Sequence, residues 1–254
     1  MPSPPKSPTI GIRYISDAVK SDHRLLERLL ARLMTPPSPS PSPSPSPSPS
    51  SPTTTATTTT PSNPPKDGHH HHHQRAALAS RLAWELARHL VAMELFIYPG
   101  TATRAAQGNA TAQQRQRDLA LLRGEVRALS SAAAAPASPS NKDPSGGGEK
   151  KLNAALDAVA ARLLGPGRHI RDVERVDLVN IESVLSARES EDMAVDFERT
   201  LGFIPFGVRD DGGEVVEDGE DGFGVVKAPY GSVEGLLDAG PGELRAALGR
   251  LPRG

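Results

Sequence analysis

Residues 74–97 read QRAALASRLAWELARHLVAMELFI, an unbroken stretch without Gly or Pro. Leu78, Leu82, Leu86, Val91, Met93 and Phe96 mix with Ala to make a broad apolar face at helical spacing. The pattern predicts a helix, with Pro99-Gly100 marking its end or a kink. One histidine, His89, lies within the run.

Similar stripes occur on either side. A first helix is predicted from Ser16, read as its N-cap, to about Met34, with Leu25, Leu26, Leu29, Leu30 and Leu33 on one face. Asp17 sits in its first turn, where the helix dipole favours negative charge, and Thr35-Pro36-Pro37 ends it. A third helix covers Ala110 to Ala133, with Leu119, Leu122, Val126 and Leu129 as its stripe. A fourth starts near Glu149, is interrupted by Gly165-Pro166-Gly167, and resumes from His169 to Val184. A short fifth helix, Arg188 to Leu201, leads into GFIPFG, and PGELRAALGRLP near the end reads as a short docking helix. The expected fold is all-α, an up-and-down four-helix bundle with a long disordered insertion between helices 1 and 2.

The domain boundaries follow from composition. Residues 1–9 read as a disordered start, 10–206 as the bundle, and 207–254 as an acidic, Gly-rich tail with a C-terminal helix. Within the bundle, residues 35–73 form a low-complexity Ser/Pro/Thr/His insertion and 134–149 a flexible linker. Alternating Pro removes backbone donors and favours extended conformers, and the insertion has nothing apolar to bury. Closing such a loop costs little more than closing a short one, because the entropy grows only logarithmically with length. The 254-residue chain has 25 Pro, 23 Gly and only 4% aromatic residues, so its core must rely on Leu, Ala and Val.

The composition also excludes several classes. A net charge of -1 gives no bias toward nucleic acid or an anionic membrane surface. With no Cys there is no disulfide, thiol nucleophile or thiolate ligand. The start, MPSPPKSPTI, lacks a secretory apolar core, and no apolar run approaches the roughly 20 residues of a membrane span. A cytoplasmic protein is expected. No nucleophile turn or Walker spacing appears, so no catalytic residue is assigned.

Five of the eight histidines form the tract His69 to His73, which has no fixed ligand geometry. The others stand apart: His23 in SDHRLL, His89 in WELARH and His169 in RHIRDVERVDL. Each falls on a different predicted helix, and bundle cores assemble metal sites from side chains on facing helices.

In these segments the chain resembles the hemerythrin-like, HHE cation-binding family, particularly its fungal members. ISDAVKSDHRLLERL is similar to the family's first helix and WELARHLVAMELFIYP to its second. RHIRDVERVDLVNIESVLSARESEDMAVDFERTLGFIPFG is similar to its fourth helix and the segment after it, and FGVVKAPYG and ELRAALGRLP to an extension some fungal members carry. The resemblance implies a four-helix bundle around a non-haem di-iron site that binds oxygen or senses iron or oxygen. It places His23, His89 and His169 at the histidines of helices 1, 2 and 4. In that family several histidines have a carboxylate four residues on, about 40° around the helix, where both can address one metal pair.

Here the carboxylates depart from that pattern. Met93 and Val173 occupy the i+4 positions, and Glu94 and Glu174 come one residue later, about 140° from their histidines on a regular helix. A π-bulge would bring them back, and some members use an Asp at i+5. Asp118, in RQRDLALL, stands where the family's third-helix histidine belongs. The expectation is a diverged hemerythrin-like module with His23, His89 and His169 as the main metal ligands and Glu94, Asp118 and Glu174 as weak ones. The family cofactor is iron; here one divalent ion or none is expected. The alternatives are a working di-iron protein binding dioxygen, and a scaffold whose Ser-Pro arm meets a polyproline-reading partner.

Overall fold

The computed structural model describes residues 14–35, 67–100, 108–135, 147–165, 168–209 and 228–252. Among these every regular element is helical. The long elements are α1 (Ile15–Met34), α2 (Asp67–Ala92), α3 (Gly108–Ala134) and α4 (Gly147–Leu163). α2 packs against α1 and α3, α3 against α4, and α4 returns to α1, so the contacts close into a ring. Inside it Leu26, Leu30, Leu82, Leu86, Leu90, Leu119, Val126, Leu156 and Val159 are almost wholly buried. Ala79, Ala83 and Ala87, four residues apart and fully buried, give α2 one small-residue face on which its neighbours approach closely.

Two helix starts differ from the sequence reading. α1 begins at Ile15 rather than behind an N-cap Ser16, and Tyr14, its capping residue, gives no side-chain cap. Its free N–H groups are met instead from far along the chain. Ile15 N–H donates to Ser190 Oγ at 3.0 Å and Ser16 N–H to Glu182 Oε1 at 3.0 Å. Tertiary acceptors thus replace a local cap. α2 begins at Asp67, so the tract His69–His73 lies in its first turns rather than in the preceding insertion. Once past Gly68 nothing there breaks a helix, and propagation from an established helix is far easier than nucleation. The insertion proper (36–66), the linker (136–146), the first residues and Pro166-Gly167 fall outside the described residues.

Both histidine-bearing segments beyond α1 contain a π-helical turn. α2 passes into Met93–Ile97, where Tyr98 N–H donates to Met93 O. α5 (His169–Asp172) passes into Val173–Asp177, where Leu178 N–H donates to Val173 O, and then into α6 (Leu178–Glu182). Five-residue closure shifts everything after it around the helix axis.

α7 (Ala187–Arg199) starts with a capping box between Ser186 and Glu189 and packs on α1. A 3-10 turn, Thr200–Phe203, and α8 (Phe206–Arg209) come next. In the stretch expected as a tail with one short helix, the described residues from 228 on form two: α9 (Val233–Asp238) and α10 (Pro241–Arg250). They are part of the core. α9 lies on α2 and α3, α10 on the first π turn, and Leu236, Leu237, Leu244 and Leu248 are buried. Arg199 secures the end of α10 by donating to the carbonyls of Leu248 and Leu251, both at 2.7 Å. The acidic run EVVEDGEDG lies outside the described residues, and no described helix is long and apolar enough to cross a membrane.

If the C-terminal helices are integral to the core, Leu236→Ala should lower the global unfolding free energy by about 2–4 kcal/mol, as for other buried Leu truncations. Urea denaturation measures this; an unchanged midpoint would mean α9 is a detachable appendage.

Candidate metal centre

His23, His89 and His169 come together. One ring nitrogen from each lies within 4.8 Å of the other two, the only such group of metal-binding side chains among the described residues. Ring centroids are 5.0 Å apart for His23 and His89, 5.2 Å for His89 and His169, and 6.0 Å for His23 and His169, all edge to face. α1 presents His23 and α2 presents His89, both buried, while His169 is the first residue of α5. The break after α4 aims it: Arg168 is extended and its N–H donates to Gly165 O, so the chain enters α5 in a new direction.

Tautomers follow from the partners. His89 Nδ1 lies 2.7 Å from Asp22 Oδ2, and His23 Nδ1 lies 2.9 Å from Glu174 Oε1. An ionised carboxylate only accepts, so each Nδ1 carries the hydrogen and each Nε2 keeps its lone pair. His23 Nε2 is buried with no hydrogen-bond partner. His89 Nε2 is 2.9 Å from His169 Nε2, so in the metal-free protein His169 donates there. Two nitrogens bound at about 2.0–2.1 Å to one tetrahedral ion lie about 3.4 Å apart. The spacing of the trio therefore matches one ion after side-chain shifts on the order of an ångström.

Electrostatics keep the His23 and His169 imidazoles neutral. Burial, reinforced by His89, lowers His23 to about 3. Burial, with His89, His23 and Arg115, holds His169 well below the ordinary imidazole range. Burial alone would raise Asp22, but Arg88 and His89 outweigh it and hold its carboxyl below the usual value. Neutral imidazole is the form that ligates, so protons compete weakly with a metal ion at His23 and His169.

The weaker candidates separate. Through the second π turn Glu174 arrives beside His23, as an acceptor for its Nδ1. Glu94, inside the first π turn, instead takes Arg123 Nη2 at 2.6 Å, and burial raises its carboxyl against the pull of that arginine. Asp118 is bonded by Gln114 at 3.0 Å and faces Arg115 at 3.7 Å on a half-exposed surface. None of the three falls within the histidine group. His169 also lines a cleft of about 60 Å³ that Arg115, Asp118 and Arg168 flank, leaving it the most open of the three histidines.

Sequence reading missed Asp22, Arg88, Arg115 and Asp177. Arg115 is held between Asp177 at 2.9 Å and Asp172 at 3.1 Å, and burial pushes the Asp177 carboxyl up to about 6 although Arg115 opposes it. A signal for the first two was present: each precedes a histidine directly, in DH and RH, with opposite charge.

No protein-family model, curated protein or solved structure matches the chain, and the site is read from its own geometry.

The metal-free protein should lose stability on acidification. An unfolded imidazole titrates near 6.5, whereas folded His23 does so at about 3. The unfolded chain takes up the proton first, so stability present above about pH 6.5 falls by about 1.4 kcal/mol per pH unit for each such histidine on the way down. Asp177, raised from 3.8 to about 6, acts in the opposite sense between those values and makes the decline shallower there. Denaturant titrations at several pH values should show this slope, reduced by about one proton in His23→Gln.

Proposed function

We propose that the chain is a diverged hemerythrin-like metal-binding module, with α1, α2, α3 and the α4–α6 segment as an up-and-down four-helix bundle holding one divalent ion through His23, His89 and His169. The observation that carries this reading is the convergence of three ring nitrogens from three separate helical segments within 4.8 Å, with His23 Nε2 buried and unpartnered. A buried polar atom without a partner is costly in a native core, and a cation bound by the three lone pairs would remove that cost. Glu174 supports the same reading. Its one partner among the described residues is His23, so an uncompensated carboxylate stands beside neutral ligands where a cation adds charge balance.

The positions of the other carboxylates support a single ion. A di-iron centre needs carboxylates bridging two ions. Glu94 is committed to Arg123, and Asp118 to Gln114 and Arg115. Three nitrogen donors with a nearby carboxylate suit a single ion of the zinc or ferrous type. When bound, such an ion offers Lewis acidity and an open position beside the donors. The protein's own part is to keep the His23 and His169 imidazoles neutral, exclude bulk water around His23 and His89, and leave His169 reachable from the cleft. We infer binding or sensing of a metal ion as the role.

Metal content decides the matter. With His69–His73 replaced by Gln to remove adventitious loading, the purified protein should carry about one metal ion per chain, lost in a further His23/His89/His169→Ala variant. Two irons per chain with an oxygen-dependent near-ultraviolet band would establish the di-iron alternative instead. Absence of metal from both proteins would refute metal binding and leave a helical scaffold.

A further inference from the structure

We propose that Asp22, gripped by Arg88, is a positioning residue that fixes His89 as an Nε2 ligand; this deepens the metal-binding reading and rests on it for its consequence. The Asp22 carboxylate has both oxygens engaged. Oδ2 accepts from His89 Nδ1 at 2.7 Å, and Oδ1 accepts from Arg88 Nη2. Arg88 is itself immobilised. Its Nε donates to Glu85 Oε2 at 3.2 Å, its Nη1 to Thr200 Oγ1 at 3.3 Å, and its guanidinium lies 5.9 Å from the Phe197 ring centroid. Thr200 is anchored in turn, its hydroxyl donating to Phe197 O at 2.6 Å.

The geometry removes the alternatives open to His89. A ring nitrogen facing a carboxylate carries a hydrogen, and a neutral imidazole has only one. His89 Nε2 therefore keeps its lone pair on the side where His23 and His169 lie. Turning the ring over would leave Asp22 without a donor in a buried site, a loss heavier than that of a solvated bond. Turning the carboxylate would break the arginine contact. Glu174 makes the same kind of bond to His23, but its side chain is 34% exposed and no second group among the described residues grips it. The two carboxylates thus differ in how firmly each can hold its imidazole.

The grip also spans the fold. Asp22 comes from α1, Arg88 and Glu85 from α2, and Thr200 and Phe197 from the end of α7 and the turn after it. These side chains are all nearly inaccessible to solvent.

The test uses the full chain with His69–His73 replaced by Gln, labelled with 15N, and reads imidazole tautomers from long-range 1H–15N spectra of metal-free protein. His89 should be the Nδ1–H tautomer. In Asp22→Asn only one acceptor remains. Arg88 should retain it, the amide NH2 then faces His89 Nδ1, and the tautomer should switch to Nε2–H. Zn2+ affinity, measured by chelator competition, should fall about 10–100-fold, as for other partners that orient a metal-binding histidine. Glu174→Gln should leave the His89 tautomer unchanged. An Nε2–H tautomer of His89 in the unsubstituted protein would overturn the proposal, and this reading needs no variant to fold. So would a folded Asp22→Asn with unchanged tautomer and affinity. Failure of the unsubstituted protein to bind Zn2+ would instead count against the metal reading, while the spectra still decide the role of Asp22.

Discussion

The structure depends on settling two charges and two imidazoles that adjacent positions of α1 and α2 carry into one core. Asp22 and His23 face Arg88 and His89, and all four are at least nine-tenths buried. A buried ion pair of this kind gains little over an apolar core of equal shape, but losing one member leaves an uncompensated charge and costs several kcal/mol. Such pairs therefore act more to hold one arrangement than to add stability. Here the arrangement they hold fixes the registry of α1 against α2 and with it the approach of the two rings.

Much of this architecture was legible from residue order. The Leu and Ala stripes mark α1 to α4 because a 3.6-residue period leaves few other ways to bury them. The three isolated histidines could be grouped because each stood alone on an apolar helix. Less legible was anything that depends on distant partners. Ser16 looks like a cap, yet Ser190 and Glu182 satisfy the first N–H groups, a contact that no local pattern encodes. The extent of the C-terminal core was hidden likewise, because Leu236 and Leu244 sit in short helices whose apolar faces are too brief to show a period.

The carboxylates are the instructive case. Glu94 and Glu174 share one displacement from their histidines, and the same kind of π turn accompanies each. One reaches the histidine cluster and the other does not, because α3 offers Arg123 to Glu94 while among the described residues no Arg or Lys pairs with Glu174. Spacing sets where a side chain is able to point; the neighbouring helix decides what it meets. That is why the three histidines could be grouped from sequence and Glu174 named without its partner, while Asp22 went unnamed.

The far-side capping of α1 bears on how the protein is made. Its first N–H groups are completed by residues 166 and 175 positions downstream. At about 5–20 residues per second, a ribosome needs roughly 10–35 s to reach them after α1 emerges. α1 thus emerges well before the acceptors that complete its first turn. Long-range closure of this kind adds non-local contacts to an otherwise local helical topology, and non-local contacts slow folding.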